Sequence, residues 1–168
     1  MRTMLLSCLA LPLAACIVTP EHADLARAEP VFSPAGFFSG RTHGQATLKI
    51  LLSGSTPVQV VGEGTVEPDG TLVLVQRIER GSESPATRTW RIHPAGDGRY
   101  GGTLTSAEGP VTGDVSGNRL HLRFTAEGGL DTEQWLYLQP GGQVALNRMV
   151  VRKFGLPVAA LEETIGKE

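Results

Sequence analysis

A chain of 168 residues with 40% apolar and 19% charged side chains is long enough for one domain with its own core, which excludes disorder as its main state. Fifteen basic against 17 acidic side chains leave a net charge of -2, so no phosphate-neutralising field marks it as a nucleic-acid binder. Two cysteines and 21 glycines point away from a disulfide scaffold and toward a fold rich in tight turns.

Arg2, an apolar run from Met4 to Leu13 and the small pair Ala14-Ala15 have the order of a secretory signal, and the run is too short to span a bilayer. Leu13-Ala14-Ala15-Cys16 resembles the bacterial lipoprotein box, in which the chain is cut before a cysteine that is then acylated. The resemblance implies residues 1–15 as signal peptide, Cys16 as the lipidation site and the membrane as a partner through the lipid anchor. Ile17 stands where, in the enteric-type sorting pattern, an aspartate would retain the protein in the inner membrane. The expected address is therefore the periplasmic face of the outer membrane. Cleavage would remove Cys8, leaving Cys16 with no cysteine to pair with.

Residues 16–36 carry Pro20, Pro30 and Pro34 without strand alternation and read as lipidated N-terminus and tether. From residue 37 to 168 the pattern changes to short period-two segments separated by Gly and Pro clusters. Ala46, Leu48, Ile50 and Leu52 share one face of a first strand, and Val58, Val60 and Val66 one face of a second. Pro68-Asp69-Gly70 turns the chain, and Thr71 to Arg80 returns. Arg88, Trp90 and Ile92 share a face, Gly96-Asp97-Gly98 turns, and Tyr100 and Leu104 come back. Val111 to Val115 leads through Ser116-Gly117-Asn118 to the cleanest alternation, Leu120, Leu122, Phe124 and Ala126. Two segments, Glu133 to Gln139 and Val144 to Phe154, flank Pro140-Gly141-Gly142. Nine such strands make a meander long enough to curl and close. The fold expected is all-β: one antiparallel up-and-down barrel of nine or ten strands, lipocalin-like. Pro157 to Lys167 closes it as a strand, by Leu161, Glu163 and Ile165 at period two, or caps it as a short helix, by Ala-Ala-Leu-Glu-Glu.

In order and spacing, Phe37-Phe38-Ser39-Gly40, Arg88-Thr89-Trp90, Gly98 to Gly102, Gln134-Trp135-Leu136-Tyr137 and Leu146-Asn147-Arg148-Met149 with Lys153-Phe154-Gly155 resemble domain of unknown function 3833, a family of short bacterial lipoproteins. The resemblance covers Phe37 to the C-terminus. It implies a lipid-anchored, barrel-like domain and no established activity. Two places depart from the family pattern: His43-Gly44, where a tryptophan commonly precedes the glycine, and Glu79 to Ala86, which replaces an Asp-Gly turn.

No enzyme is expected, and no catalytic residue or cofactor is named. There is no Gly-x-Ser-x-Gly elbow, and Ser116 reads as a turn residue. His22, His43, His93 and His121 sit singly, so no metal site is expected. Asp131 and Glu133 share a strand face and read as a solvated strand start. The informative feature is the face Val144, Leu146, Arg148, Val150, Arg152 and Phe154, with two arginines among apolar neighbours. A buried arginine needs a partner: an aromatic such as Trp90 or Trp135, or the carboxylate or phosphate of a ligand. The opposite face, Asn147, Met149 and Val151, is also partly apolar, which leaves the inward side open. Trp90, Trp135, Tyr137, Arg148 and Arg152 are the candidate ligand-binding residues. Two functions follow: a barrel that binds a lipid or other hydrophobic small molecule, or a filled barrel that docks another envelope protein.

Overall fold

A computed structural model describes residues 23–168. The expected signal peptide and the expected lipidation site, Cys16, lie outside the described residues. Among the described residues no helix is long and apolar enough to cross a membrane.

Ten strands form a closed antiparallel barrel: β1 (Gly40–Ile50), β2 (Gly54–Val66), β3 (Leu72–Arg80), β4 (Ala86–Gly96), β5 (Arg99–Leu104), β6 (Val111–Ser116), β7 (Arg119–Ala126), β8 (Leu130–Leu138), β9 (Val144–Lys153) and β10 (Leu156–Lys167). Each strand pairs with its sequence neighbours, and β10 closes on β1 from Thr42↔Lys167 to Ile50↔Ala159. The alternative left open for Pro157 to Lys167 resolves as a strand, because closure pairs the backbone groups that an open edge would leave bare. The turns follow their residues. Asp97 and Gly98 both take positive φ at the β4–β5 connection, and Asp69 accepts a bond from Thr71 N at 2.9 Å in the turn before β3.

One end of the barrel is plugged. Ser33 caps a five-residue helix, α1 (Pro34–Phe38), by accepting from Gly36 N at 3.1 Å, and Pro34 starts it with its φ preset. The helix sets Phe37 and Phe38 edge to face at 4.9 Å, with Phe32 tilted against Phe37 at 5.7 Å. All three rings are buried in the main core with Leu72, Leu120, Leu136 and Leu138. Their burial contributes about 2–3 kcal/mol each as an upper estimate. A glycine is required beneath them, since a Cβ at Gly64 would lie 1.9 Å from the Phe38 carbonyl oxygen.

This corrects the expected tether. Residues 23–36 are not a free linker; they pack on the barrel and supply its floor. Asn118, 1% exposed in the β6–β7 turn, holds them: its Oδ1 accepts from Arg27 N at 2.6 Å, and its Nδ2 donates to the carbonyls of Leu25 (3.1 Å) and Leu138 (2.9 Å). Phe32 N donates to the Gly117 carbonyl at 2.8 Å. Beside that turn the Leu25 side chain packs on the outer-wall cluster of Trp135, Tyr137 and Val150. Proline-rich composition signalled irregular backbone, and tertiary contacts of the aromatics ordered it.

Candidate functional site

The lumen above the aromatic plug is divided by a layer of polar side chains. On β3 and β4 the inward residues Gln76, Arg88 and Trp90 meet. Gln76 Oε1 accepts from Trp90 Nε1 at 2.7 Å and from Arg88 Nε at 2.8 Å, while the Arg88 guanidinium lies 5.3 Å over the Trp90 ring. Phe124 packs edge-on to the same indole at 5.4 Å. Across the lumen, Glu163 of β10 is 7% exposed, and its Oε2 accepts from Asn147 Nδ2 of β9 at 2.7 Å. Gly44 makes the space for this carboxyl, since a Cβ there would lie 2.1 Å from Glu163 Oε1.

Burial dominates the electrostatics of the layer. Desolvation pushes the Glu163 carboxyl up, opposed by the Asn147 hydrogen bond and the field of Arg88. Desolvation also brings Arg88 down to about 10, with Glu163 raising it and Arg80 lowering it further. Two buried acceptors in the layer, Gln134 Oε1 and Asn147 Oδ1, have no hydrogen-bond partner. Such groups carry a desolvation cost of about 1–3 kcal/mol each until a donor meets them.

Two small chambers adjoin this layer and share Arg88, Gln134 and Glu163 in their walls. The one on the plug side, about 40 Å³, is lined by Phe38, Leu72, Trp90, Leu120 and Leu136. The other, about 70 Å³, lies toward the unplugged mouth between Leu48, Val58, Val60, Ile78, Met149 and Leu161, with Arg80 at its edge. A larger concavity of about 650 Å³ is an open groove on the outer side of β1, β2 and β10, lined mainly by polar residues such as Gln45, Lys49, Gln59, Arg148 and Glu162. It encloses little apolar surface, so the lumen is the better candidate despite its smaller volume.

Of the five residues singled out by sequence, Trp90 lines the lumen. Trp135, Tyr137, Arg148 and Arg152 face outward. The inward side of β9 is Ala145, Asn147 and Met149, and the arginine that stacks on Trp90 is Arg88, not Arg148 or Arg152. Val150 on the outer side is buried all the same, in a cluster with Trp135 and Tyr137 against which Leu25 packs. Most of the outer residues satisfy one another, although the buried Arg148 Nε has no hydrogen-bond partner. His121 stacks on Trp135 at 4.7 Å, Arg123 donates to His121 Nδ1 at 2.8 Å, and Nε2–H then donates to Glu133 at 3.1 Å. Burial and Arg123 hold His121 below its usual range, consistent with that neutral tautomer. Arg152 donates to the other oxygen of Glu133 at 2.6 Å, so the carboxylate read as a solvated strand start belongs, with His121, to one packed polar ladder. Arg148 donates to the Asn147 carbonyl at 2.9 Å.

Sequence reasoning missed Gln76, Gln134, Asn147 and Glu163 as site residues. The available signal was polar residues on apolar faces: Gln76 in register with Leu72 and Leu74, and Glu163 between Leu161 and Ile165. Among the described residues no cluster of three or more His, Cys, Asp or Glu side chains could hold a metal ion.

The comparisons with known proteins agree with this architecture. The family described as protein of unknown function (DUF3833) matches residues 10–167, and the chain belongs to that family. No curated protein matches it. Among solved structures, the S-type phycobiliprotein lyase CPES from Guillardia theta is similar, with a TM-score of 0.63, 6% identity, and coverage of 77% of this chain and 88% of that one. The likeness shows a shared lipocalin-like barrel.

Proposed function

We propose that this DUF3833 member is an outer-membrane lipoprotein, anchored through Cys16 on the periplasmic face, that binds a small amphipathic molecule in the mouth-side half of its barrel. The observation that carries the reading is the juxtaposition, deep in the lumen, of an apolar chamber and the unpartnered acceptors Gln134 Oε1 and Asn147 Oδ1. An apolar body fits the ring of Leu48, Val58, Val60, Ile78 and Leu161, and a hydrogen-bond-donating end answers the acceptors. The similar fold of a protein titled a phycobiliprotein lyase supports small-molecule binding by this barrel type. Binding rather than catalysis is proposed, because the lumen carboxyl of Glu163 is bonded to an amide and not to a nucleophile.

The chamber volume of about 70 Å³ is well below the several hundred Å³ of a typical ligand pocket, so occupancy requires the mouth to widen. Met149, unbranched and half-buried, and Arg80, at the edge, are the side chains that can swing aside. Uptake of the apolar fluorophore N-phenyl-1-naphthylamine by the purified protein tests this. The wild type takes up one equivalent, Met149→Trp loses it by filling the chamber, and Arg148→Ala on the outer wall keeps it. A wild type that binds no probe, or Met149→Trp binding as well as wild type, overturns the reading.

A further inference from the structure

Two hairpin tips stand side by side at the unplugged mouth, and both present large apolar side chains to water. Leu52 in the β1–β2 connection is 98% exposed, and Phe154 at the β9–β10 turn is 90% exposed. Ile50, Leu51 and Leu156 beside them are also exposed. The tips are neighbours because β1 pairs with β10 and Leu51 N donates to the Val158 carbonyl at 2.9 Å.

Neither residue is one that folding alone would choose. Leu52 and Phe154 hold positive φ, 66° and 52°, in positions that ordinarily favour Gly, Asn or Asp; the remaining non-glycine case among the described residues is Asp97. The backbone is therefore in a disfavoured state at both tips while the side chains bury nothing in their own fold. A cation accompanies them: Lys153 lies 5.1 Å over the Phe154 ring, while Lys49 and Arg80 at the same end pair with Glu162 at 3.7 Å and Glu83 at 3.6 Å. Apolar tips flanked by a lysine match the headgroup and upper acyl region of a bilayer.

The length of chain ahead of Leu25 lets an anchor at Cys16 reach the same surface as the mouth. From Phe32 at the plug, the chain passes Asn118, whose Nδ2 donates to the Leu25 carbonyl at 3.1 Å, and the Leu25 side chain packs on the outer-wall cluster of Trp135, Tyr137 and Val150. Tyr137 pairs with Leu146 on β9, and Phe154 is eight residues beyond Leu146, about 26 Å along the strand. The nine residue steps from Leu25 back to Cys16 can span up to about 30 Å, enough to reach the plane of the tips. The exposed acids Glu108 and Glu127 flank the β7–β8 turn next to the Phe154 tip, where Lys153 Nζ donates to the Gly128 carbonyl and Gly128 N donates to Glu108 at 2.7 Å.

We propose that the barrel docks mouth-down on a lipid bilayer, with Leu52 and Phe154 inserted among the lipids beside the Cys16 anchor. The lumen then opens onto the membrane, which would let the amphipathic ligand proposed above be drawn directly from lipid. The docking uses the anchoring part of that reading for reach, and stands or falls separately from ligand binding.

The test places an environment-sensitive fluorescent amino acid at Leu52, Phe154 or Pro140 of the full chain, reconstituted in vesicles of phosphatidylethanolamine and phosphatidylglycerol with brominated acyl chains. Pro140 lies in the exposed turn at the plugged end. Quenching at Leu52 and Phe154 but not at Pro140 is expected, and Leu52→Asp should weaken the quenching at Phe154. A fluorophore at Leu52 no more quenched than one at Pro140 overturns the proposal, including the case in which both tips are shielded only after another envelope protein is added. The mass of the N-terminal peptide reports acylation of Cys16 in the same sample, so failure of the anchor and failure of the docking are told apart.

Discussion

Asn118→Ala tests how the N-terminal segment is built into the barrel. The side chain makes three hydrogen bonds, at 2.6, 2.9 and 3.1 Å, and two of them reach the segment that ends in the Phe32 plug. At about 0.5–1.5 kcal/mol net for each bond, with some cost for the donor and acceptors left behind, the substitution should destabilise by about 2–4 kcal/mol. Urea unfolding supplies the free energy, and a lowered midpoint with unchanged slope identifies a true loss of stability. Amide exchange supplies the location: Arg27 N, bonded to Asn118 Oδ1, and Phe32 N, bonded to the Gly117 carbonyl, should lose protection before the β7–β8 amides do. A loss below about 1 kcal/mol with Phe32 N still protected would refute the claim that this asparagine clamps the plug.

Glu163 should impose a pH dependence on stability. Its carboxyl is raised in the folded state, so the stability it contributes is full below the unfolded carboxylate value and is lost as pH rises through the folded one. Glu163→Gln should flatten that decline and stabilise the protein at neutral pH; unfolding curves for both proteins between pH 4 and 9 that stay parallel would count against burial as the cause. Gly44→Ala should push the Glu163 carboxyl aside, costing about 1–3 kcal/mol. Removing the carboxyl as well, in Gly44→Ala with Glu163→Ala, should leave less than the sum of the two single losses, and strict additivity in a double-mutant cycle would contradict the contact. Phe32→Ala should cost about 3–5 kcal/mol and loosen the floor of the lumen, checked by thermal unfolding.

The barrel was legible because the physical signal for a half-buried strand is local. Leu120, Leu122 and Phe124 alternate with Arg119, His121 and Arg123, and the structure puts the first set inward. The closing strand was half legible: Leu161, Glu163 and Ile165 at period two allowed it, while Ala-Ala-Leu-Glu-Glu left a helix open. Inside and outside of β9 could not be told apart, because periodicity reports burial and not direction. Val150 is buried on the outer wall in a cluster with Trp135 and Tyr137, against which Leu25, far away in sequence, packs, so the strand is apolar on both faces. The plug was illegible for a similar reason: Phe32, Phe37 and Phe38 sit in Pro- and Gly-rich sequence without strand or long-helix periodicity, and only the barrel end they fill explains them. The polar layer was half legible. Arg88 and Trp90 were seen to share a face, while Glu163 was visible as a carboxyl on an apolar face whose role appears once Asn147 and Gly44 are beside it.

Whether the lumen carries a ligand is decided most directly by native mass spectrometry of the full chain released gently from membranes. The account predicts one bound small molecule per barrel, with an apolar body and at least one hydrogen-bond donor, retained by Arg152→Ala and lost from Met149→Trp. A folded wild-type barrel that is empty from the membrane, and stays empty after incubation with membrane lipid extract, would contradict it.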